Sequence, residues 1–158
     1  MTDNYIGIMI ESLRRKKDVL TDILKLSEEQ SLLLDDPNLE PDTFEKNVNR
    51  KAALIDKLAQ LDTGFESLYD KVKEELESNR DIHKEQIRQM QELIRALTEL
   101  NMQIQATEAR NKEKATAKFA YIRQQAKEIR SSQKIVKEYY NNMMHKAYNE
   151  PHFLDNKK

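Results

Sequence analysis

The stretch Ile87-Arg88-Gln89-Met90-Gln91-Glu92-Leu93-Ile94-Arg95-Ala96-Leu97-Thr98-Glu99-Leu100-Asn101-Met102-Gln103-Ile104 decides the fold class. Its apolar residues Ile87, Met90, Ile94, Leu97, Leu100 and Ile104 recur at spacings of three and four, which put them on one face of an α-helix. A strand would need alternation at every second residue, bounded by turn residues, and neither is present. Outward from this stretch, the interval between Pro41 and Pro151 contains no proline and a single glycine, Gly64. Charged residues make up 35% of the 158 residues, which suits helices that bury only a stripe. The expected fold class is therefore all-α.

Toward the N-terminus, Ile6, Met9, Ile10, Leu13, Leu20, Ile23, Leu24 and Leu34 define a first helix, with Asp3 or Asn4 able to cap it. Lys16, Ser27 and Gln30 interrupt its seam, so a bundle face is expected rather than a zipper. Asp35-Asp36-Pro37-Asn38-Leu39-Glu40-Pro41 breaks the pattern, because proline cannot continue a helix interior. Asp42, with Glu45 three residues on, reads as a capping box that opens the second helix. That helix carries Val48, Ala52, Ile55, Leu58, Ala59, Phe65, Leu68, Tyr69, Val72 and Leu76 as its expected inner stripe. Gly64 within it is expected to mark a close helix approach or a slight bend. Ser78-Asn79-Arg80-Asp81, with capping-box spacing between Ser78 and Asp81, is the next break and makes the second and third helices an antiparallel hairpin.

The third segment carries a second stripe, Ile122, Ala126, Ile129, Val136, Tyr139, Tyr140 and Met143. Between the two stripes, Glu108-Ala109-Arg110-Asn111-Lys112-Glu113-Lys114 propagates a helix well but has no apolar seam. A continuous helix whose middle leaves the bundle is the economical reading; a turn at Asn111, giving a four-helix bundle, is the rival. The expected architecture is an elongated antiparallel bundle of three long helices, with residues 1–110 as the bundle, 111–148 as an overhanging C-terminal helical region and 149–158 as a flexible tail. A helix from Asp81 to about Tyr148 would span roughly 100 Å, about twice the reach of either earlier helix. Its second stripe would then lack an intramolecular partner. Ile122, Ile129, Val136, Tyr139, Tyr140 and Met143 are accordingly the candidate partner-binding residues, since uncovered apolar stripes mark interaction sites. Tyr and Met suit adaptable contacts, although a bundle core would use the same residues.

Composition excludes much else. A net charge of −1 supplies no global basic field for nucleic acid. The run Arg14-Arg15-Lys16-Lys17 reads as a solvated face, because four consecutive residues spread around a helix. With no cysteine there is neither a disulfide framework nor a thiolate site. His83, His145 and His152 share no i,i+3 or i,i+4 spacing, no glycine-rich phosphate loop exists, and no nucleophile signature occurs. No catalytic residue, metal site or cofactor is expected. Apolar runs are too short to span a bilayer, and Met1-Thr2-Asp3-Asn4 is not the start of a secretory signal, so a cytoplasmic protein is expected.

Several segments resemble the FlgN family of flagellar type III export chaperones. They are Lys51-Ala52-Ala53-Leu54-Ile55-Asp56-Lys57-Leu58-Ala59-Gln60-Leu61-Asp62 followed by Phe65 and Tyr69, the Glu108-x-x-Asn111-Lys112 segment, and the ending Tyr148 … Phe153-Leu154-Asp155-Asn156-Lys157-Lys158. The resemblance implies a cytoplasmic chaperone that binds the helical C-termini of the hook–filament junction proteins FlgK and FlgL, shields them from aggregation and delivers them to the export gate. It also implies that the C-terminal helical region binds the substrate, which on this chain is the stripe Ile122, Ile129, Val136, Tyr140 and Met143. A structural coiled-coil or scaffold protein, homodimeric through the same helix, is the alternative from another class.

Overall fold

The computed structural model describes the backbone of residues 2–147 and the side-chain surroundings of residues 4–142. Three α-helices form: α1 Thr2–Asp35, α2 Pro41–Ser78 and α3 Lys84–Ala147. There is no strand among the described residues. The fold is an all-α bundle, and α3 runs unbroken through 108–114, so the turn at Asn111 does not form. The side chains of Asp3, Met143, Met144 and His145, and the whole of Tyr148 and the 149–158 tail with His152, Phe153 and Leu154, lie outside the described residues.

The helix ends follow from local chemistry. The chain leaves α1 through a turn in which the Asn38 amide donates to Asp36 Oδ1 at 2.8 Å. The capping box expected at Asp42 is not used. Glu40 is the N-cap, in extended conformation and without a side-chain capping bond, and Pro41 takes the first helical turn. Proline has no N–H to leave unpaired there, and its fixed φ already suits the helix. The third helix also opens later than Asp81. Helix α2 keeps Ser78, the Asn79 amide donates to the Glu75 carbonyl at 2.9 Å, and residues 79–83 form the turn before Lys84 opens α3.

The chain divides into two compact units, Met1–Ala115 and Thr116–Lys158. In the first, α1 lies antiparallel to α2 and parallel to α3. Lys16 pairs with Asp62, and Lys71 sits over the Tyr5 ring at 5.4 Å, so rising α1 numbers meet falling α2 numbers. Ser27 meets Glu108, and Ser31 meets Lys114, so α1 and α3 rise together. The apolar core joins Ile6, Met9, Ile10, Leu13, Leu20 and Ile23 of α1 to Val72 and Leu76 of α2 and to Met90 and Leu97 of α3. Val19 and Leu26 are buried as well, although neither belongs to the expected α1 stripe.

The inner face of α2 differs from expectation in its first half. Asn47 and Lys51 are buried, and Leu54, Leu58 and Leu61 are half-buried. Val48 is exposed, and Ile55 is 50% exposed. Two helical stripes compete there, and the one with more apolar residues at 48, 52 and 55 loses. The polar pair Asn47 and Lys51 finds partners inside, which brings Leu54, Leu58 and Leu61 inward with it. Nor does Gly64 mark a close approach: a Cβ added there would meet nothing within 4 Å.

The middle of α3 does not leave the bundle. Asn111 is 2% exposed and Thr107 is buried. A polar layer docks it. Lys51 Nζ donates to Glu108 Oε1 at 2.6 Å and to Gln30 Oε1 at 3.1 Å, and the Ser27 hydroxyl donates to Glu108 Oε1 at 2.6 Å. Asn47 Nδ2 donates to the Leu26 carbonyl at 2.9 Å, and Asn111 Nδ2 to the Ser27 carbonyl at 2.8 Å. The Ser27 and Gln30 that interrupt the α1 seam are thus the partners of the residues that interrupt the α3 seam.

Candidate functional site

In the second unit, α3 supplies the candidate residues from one continuous helix. Its sequence there, rich in Ala, Gln, Lys, Arg and Glu, propagates helix without needing a core. Ile122, Ile129 and Val136 stand seven residues apart, so they share a face. Ile129 is 58% exposed and Val136 53%, and Ile122 is exposed too. Tyr139 and Tyr140 extend the face, exposed, with ring centroids 6.1 Å apart in an edge-on arrangement. Met143 falls outside the described side chains. A shallow depression on this surface is lined by Gln125, Ile129, Ser132 and Val136. Phe119, Tyr121 and Ile135 are also exposed and were not among the expected residues. Tyr121 and Ile135 were legible, each preceding a stripe residue by one position.

Electrostatics add a feature that the total charge hides. Residues 1–115 carry eighteen basic and twenty-four acidic residues, a net charge of −6. Residues 116–142 carry six basic and two acidic residues, a net charge of +4. Five of the six are Arg123, Lys127, Arg130, Lys134 and Lys137, spaced four, three, four and three apart. That spacing makes a basic band toward the back of the helix: Arg123, Arg130 and Lys137 each follow a row residue by one position, about 100° round, and Lys127 and Lys134 follow one by five, about 140° round. All five are exposed, and none forms an ion pair among the described residues. The opposite flank holds Tyr121, Glu128, Ile135 and Tyr139.

The remaining polar chemistry of the described residues is structural. Arg14 and Arg15 face solvent beside Glu11. His83 is buried, with Nδ1 3.1 Å from Gln86 Oε1 and Nε2 3.3 Å from Glu75 Oε1. No three His, Cys, Asp or Glu side chains converge among the described residues. No helix among them is long and apolar enough to cross a membrane.

Fold and face together define a helical bundle protein that presents an exposed apolar row on its third helix. The chain belongs to the FlgN family: the family model, described as FlgN protein, matches residues 1–145. No curated protein and no solved structure matches the chain. The family is one of flagellar export chaperones, whose work is to bind other flagellar proteins.

Proposed function

We propose that this chain acts in the cytoplasm as the export chaperone of hook-associated proteins of the FlgK/FlgL type. On this reading it holds their C-terminal helical segments, keeps them from aggregating and hands them to the flagellar export gate. The docking region is residues 116–148 and not 111–148, because Asn111 and Lys114 are held against α1, and the contacts are Ile122, Ile129, Val136, Tyr139, Tyr140 and Met143. The observation that carries this is the exposed seven-residue repeat Ile122, Ile129, Val136. An amphipathic helix recognises such a row by laying its own apolar face along it. Family membership supplies the flagellar context.

The test uses the purified full chain and a hook-associated protein from the same source, measured by calorimetry and size exclusion. A one-to-one complex is expected. The double variant Ile129→Asp with Val136→Asp abolishes it, because charge replaces both central anchors. Helicity and Tm of the free protein stay nearly unchanged, since both side chains are already more than half exposed. Unfolding of the free variant would mean the stripe is core. Unchanged binding would mean that the partner docks elsewhere.

The same seven-residue repeat also suits self-association as a coiled coil, the reading of a structural scaffold. Sedimentation of the chain alone separates the two: a scaffold is a tight dimer that ignores hook-associated proteins.

A further inference from the structure

We propose that the basic back of α3, over residues 123–137, docks on an anionic lipid bilayer, held there by charge and without insertion. Arg123, Lys127, Arg130, Lys134 and Lys137 are all exposed, and none forms an ion pair among the described residues. At about 1.5 Å per residue they make a file of cations roughly 21 Å long on one side of one helix. Beside them on that side stand Ala120, Gln124, Ser131 and Glu138, which include no large apolar side chain and a single acid. The net charge is +4 over residues 116–142 and −6 over residues 1–115, so attraction to an anionic surface is confined to this stretch. Lys and Arg clustered on a helix are drawn to an anionic leaflet, each one contributing about fivefold in affinity.

The make-up of the band selects among anionic partners. A protein partner is held by buried aromatic or aliphatic anchors, and a single nucleic-acid strand by aromatic platforms set among the cations. The band has neither. A helix in the major groove of a duplex meets phosphates on both of its sides, whereas one side here is the apolar row. A fluid bilayer asks for charge alone, because its headgroups rearrange to meet the cations. Insertion through the other face fits less well, since Gln125, Glu128 and Ser132 stand where an interfacial helix carries Trp, Phe or Leu. Ile122, Ile129 and Val136, about 100–140° round the helix from the band, stay clear of a surface on which the band rests. The proposal therefore goes beyond the chaperone reading and does not depend on it.

The test sediments the full chain with vesicles of phosphatidylcholine alone and with vesicles of phosphatidylcholine and phosphatidylglycerol in equal parts. The chain is expected to bind the mixed vesicles and not the neutral ones, and to come off as salt rises. Changing Arg123, Lys127, Arg130, Lys134 and Lys137 together to Gln keeps the helix and abolishes vesicle binding, while Lys134→Gln alone weakens it about fivefold. Arg123→Lys with Arg130→Lys keeps it, because a headgroup surface reads charge and not the guanidinium fork. Ile129→Ser with Val136→Ser also keeps it, because the row does not enter the bilayer. The proposal is overturned if neither vesicle binds, if both bind alike, or if the five-Gln variant keeps its affinity. It is equally overturned if the double-Ser variant loses binding, or if duplex DNA or polyglutamate binds more tightly than the mixed vesicles at the same salt. The hook-associated protein separates this proposal from the chaperone reading. If it binds the chain but the mixed vesicles do not, only the lipid proposal fails. If the mixed vesicles bind but no hook-associated protein does, only the chaperone reading fails.

Discussion

Asn111 and Asn47 each donate their amide to a carbonyl of α1, yet the Oδ1 atom of each is buried without a hydrogen-bond partner. An unpaired buried acceptor costs about 1–3 kcal/mol. Replacing Asn111 with Leu removes that cost without orphaning its partners. The Ser27 carbonyl lies within α1, and Gln30 Oε1 still receives Lys51 Nζ. Asn111→Leu is therefore expected to raise Tm by a few degrees, and to yield more than one species in sedimentation because a buried polar pairing that specifies register is lost. A lower Tm would show that the amide bonds outweigh the orphaned oxygen. Glu108 gives the layer a pH dependence. Burial alone would push its carboxyl up, but hydrogen bonds from Lys51 and Ser27 and the Lys51 charge outweigh burial and hold it below the ordinary 4.5. A lowered folded pKa stabilises the fold above the unfolded value, and the contribution disappears as pH falls below 4.5 and through the folded pKa. Tm followed down that acid range should drop less steeply in Glu108→Gln than in the unaltered chain, and an identical slope would remove Glu108 from the account.

Among the elements, α2 shows best how a helix face is chosen. Its second half was legible, since Val72 and Leu76 are buried as their spacing predicts. Its first half was not, because Asn47 and Lys51 look like surface residues until their partners on α1 and α3 are in place. The consequence is testable by thermal melts of two variants. Leu76→Ala should cost about 2–5 kcal/mol, as deletion of a buried leucine does. Ile55→Asp, at a position half open to water, should change stability by only about 0.5 kcal/mol. A collapse of the Ile55→Asp protein would return that residue to the core. The middle of α3 presents the same problem in another form. Glu108 and Asn111 broke the apolar seam, which suggested a helix leaving the bundle, but they dock through hydrogen bonds to Ser27 and its carbonyl.

At the scale of the whole molecule, the apolar core of the described residues runs from Tyr5 to Ile104, within the unit Met1–Ala115. Residues 1–115 alone are therefore expected to fold, to melt cooperatively within a few degrees of the full chain, and to lose the hook-associated partner. A truncated protein that fails to fold would show that residues beyond 115 carry part of the stability. Charge is also a property at this scale. A net charge of −1 reads as neutral only because −6 over residues 1–115 offsets positive charge in the remainder. The total hides a positively charged stretch of α3 over residues 116–142.

By itself the sequence determined the all-α class, the breaks around Pro37 and after Ser78, and the exposed row on α3, because helix periodicity and chain-breaking residues act over a few neighbouring positions. What only the tertiary structure decided was where the polar residues go. Ser27, Gln30, Lys51, Glu108 and Asn111 lie on three different helices and hydrogen-bond to one another, and Asn47 beside them reaches the Leu26 carbonyl of α1. Burial of a polar group depends on a partner that can sit eighty residues away, and spacing along one helix carries no record of that partner.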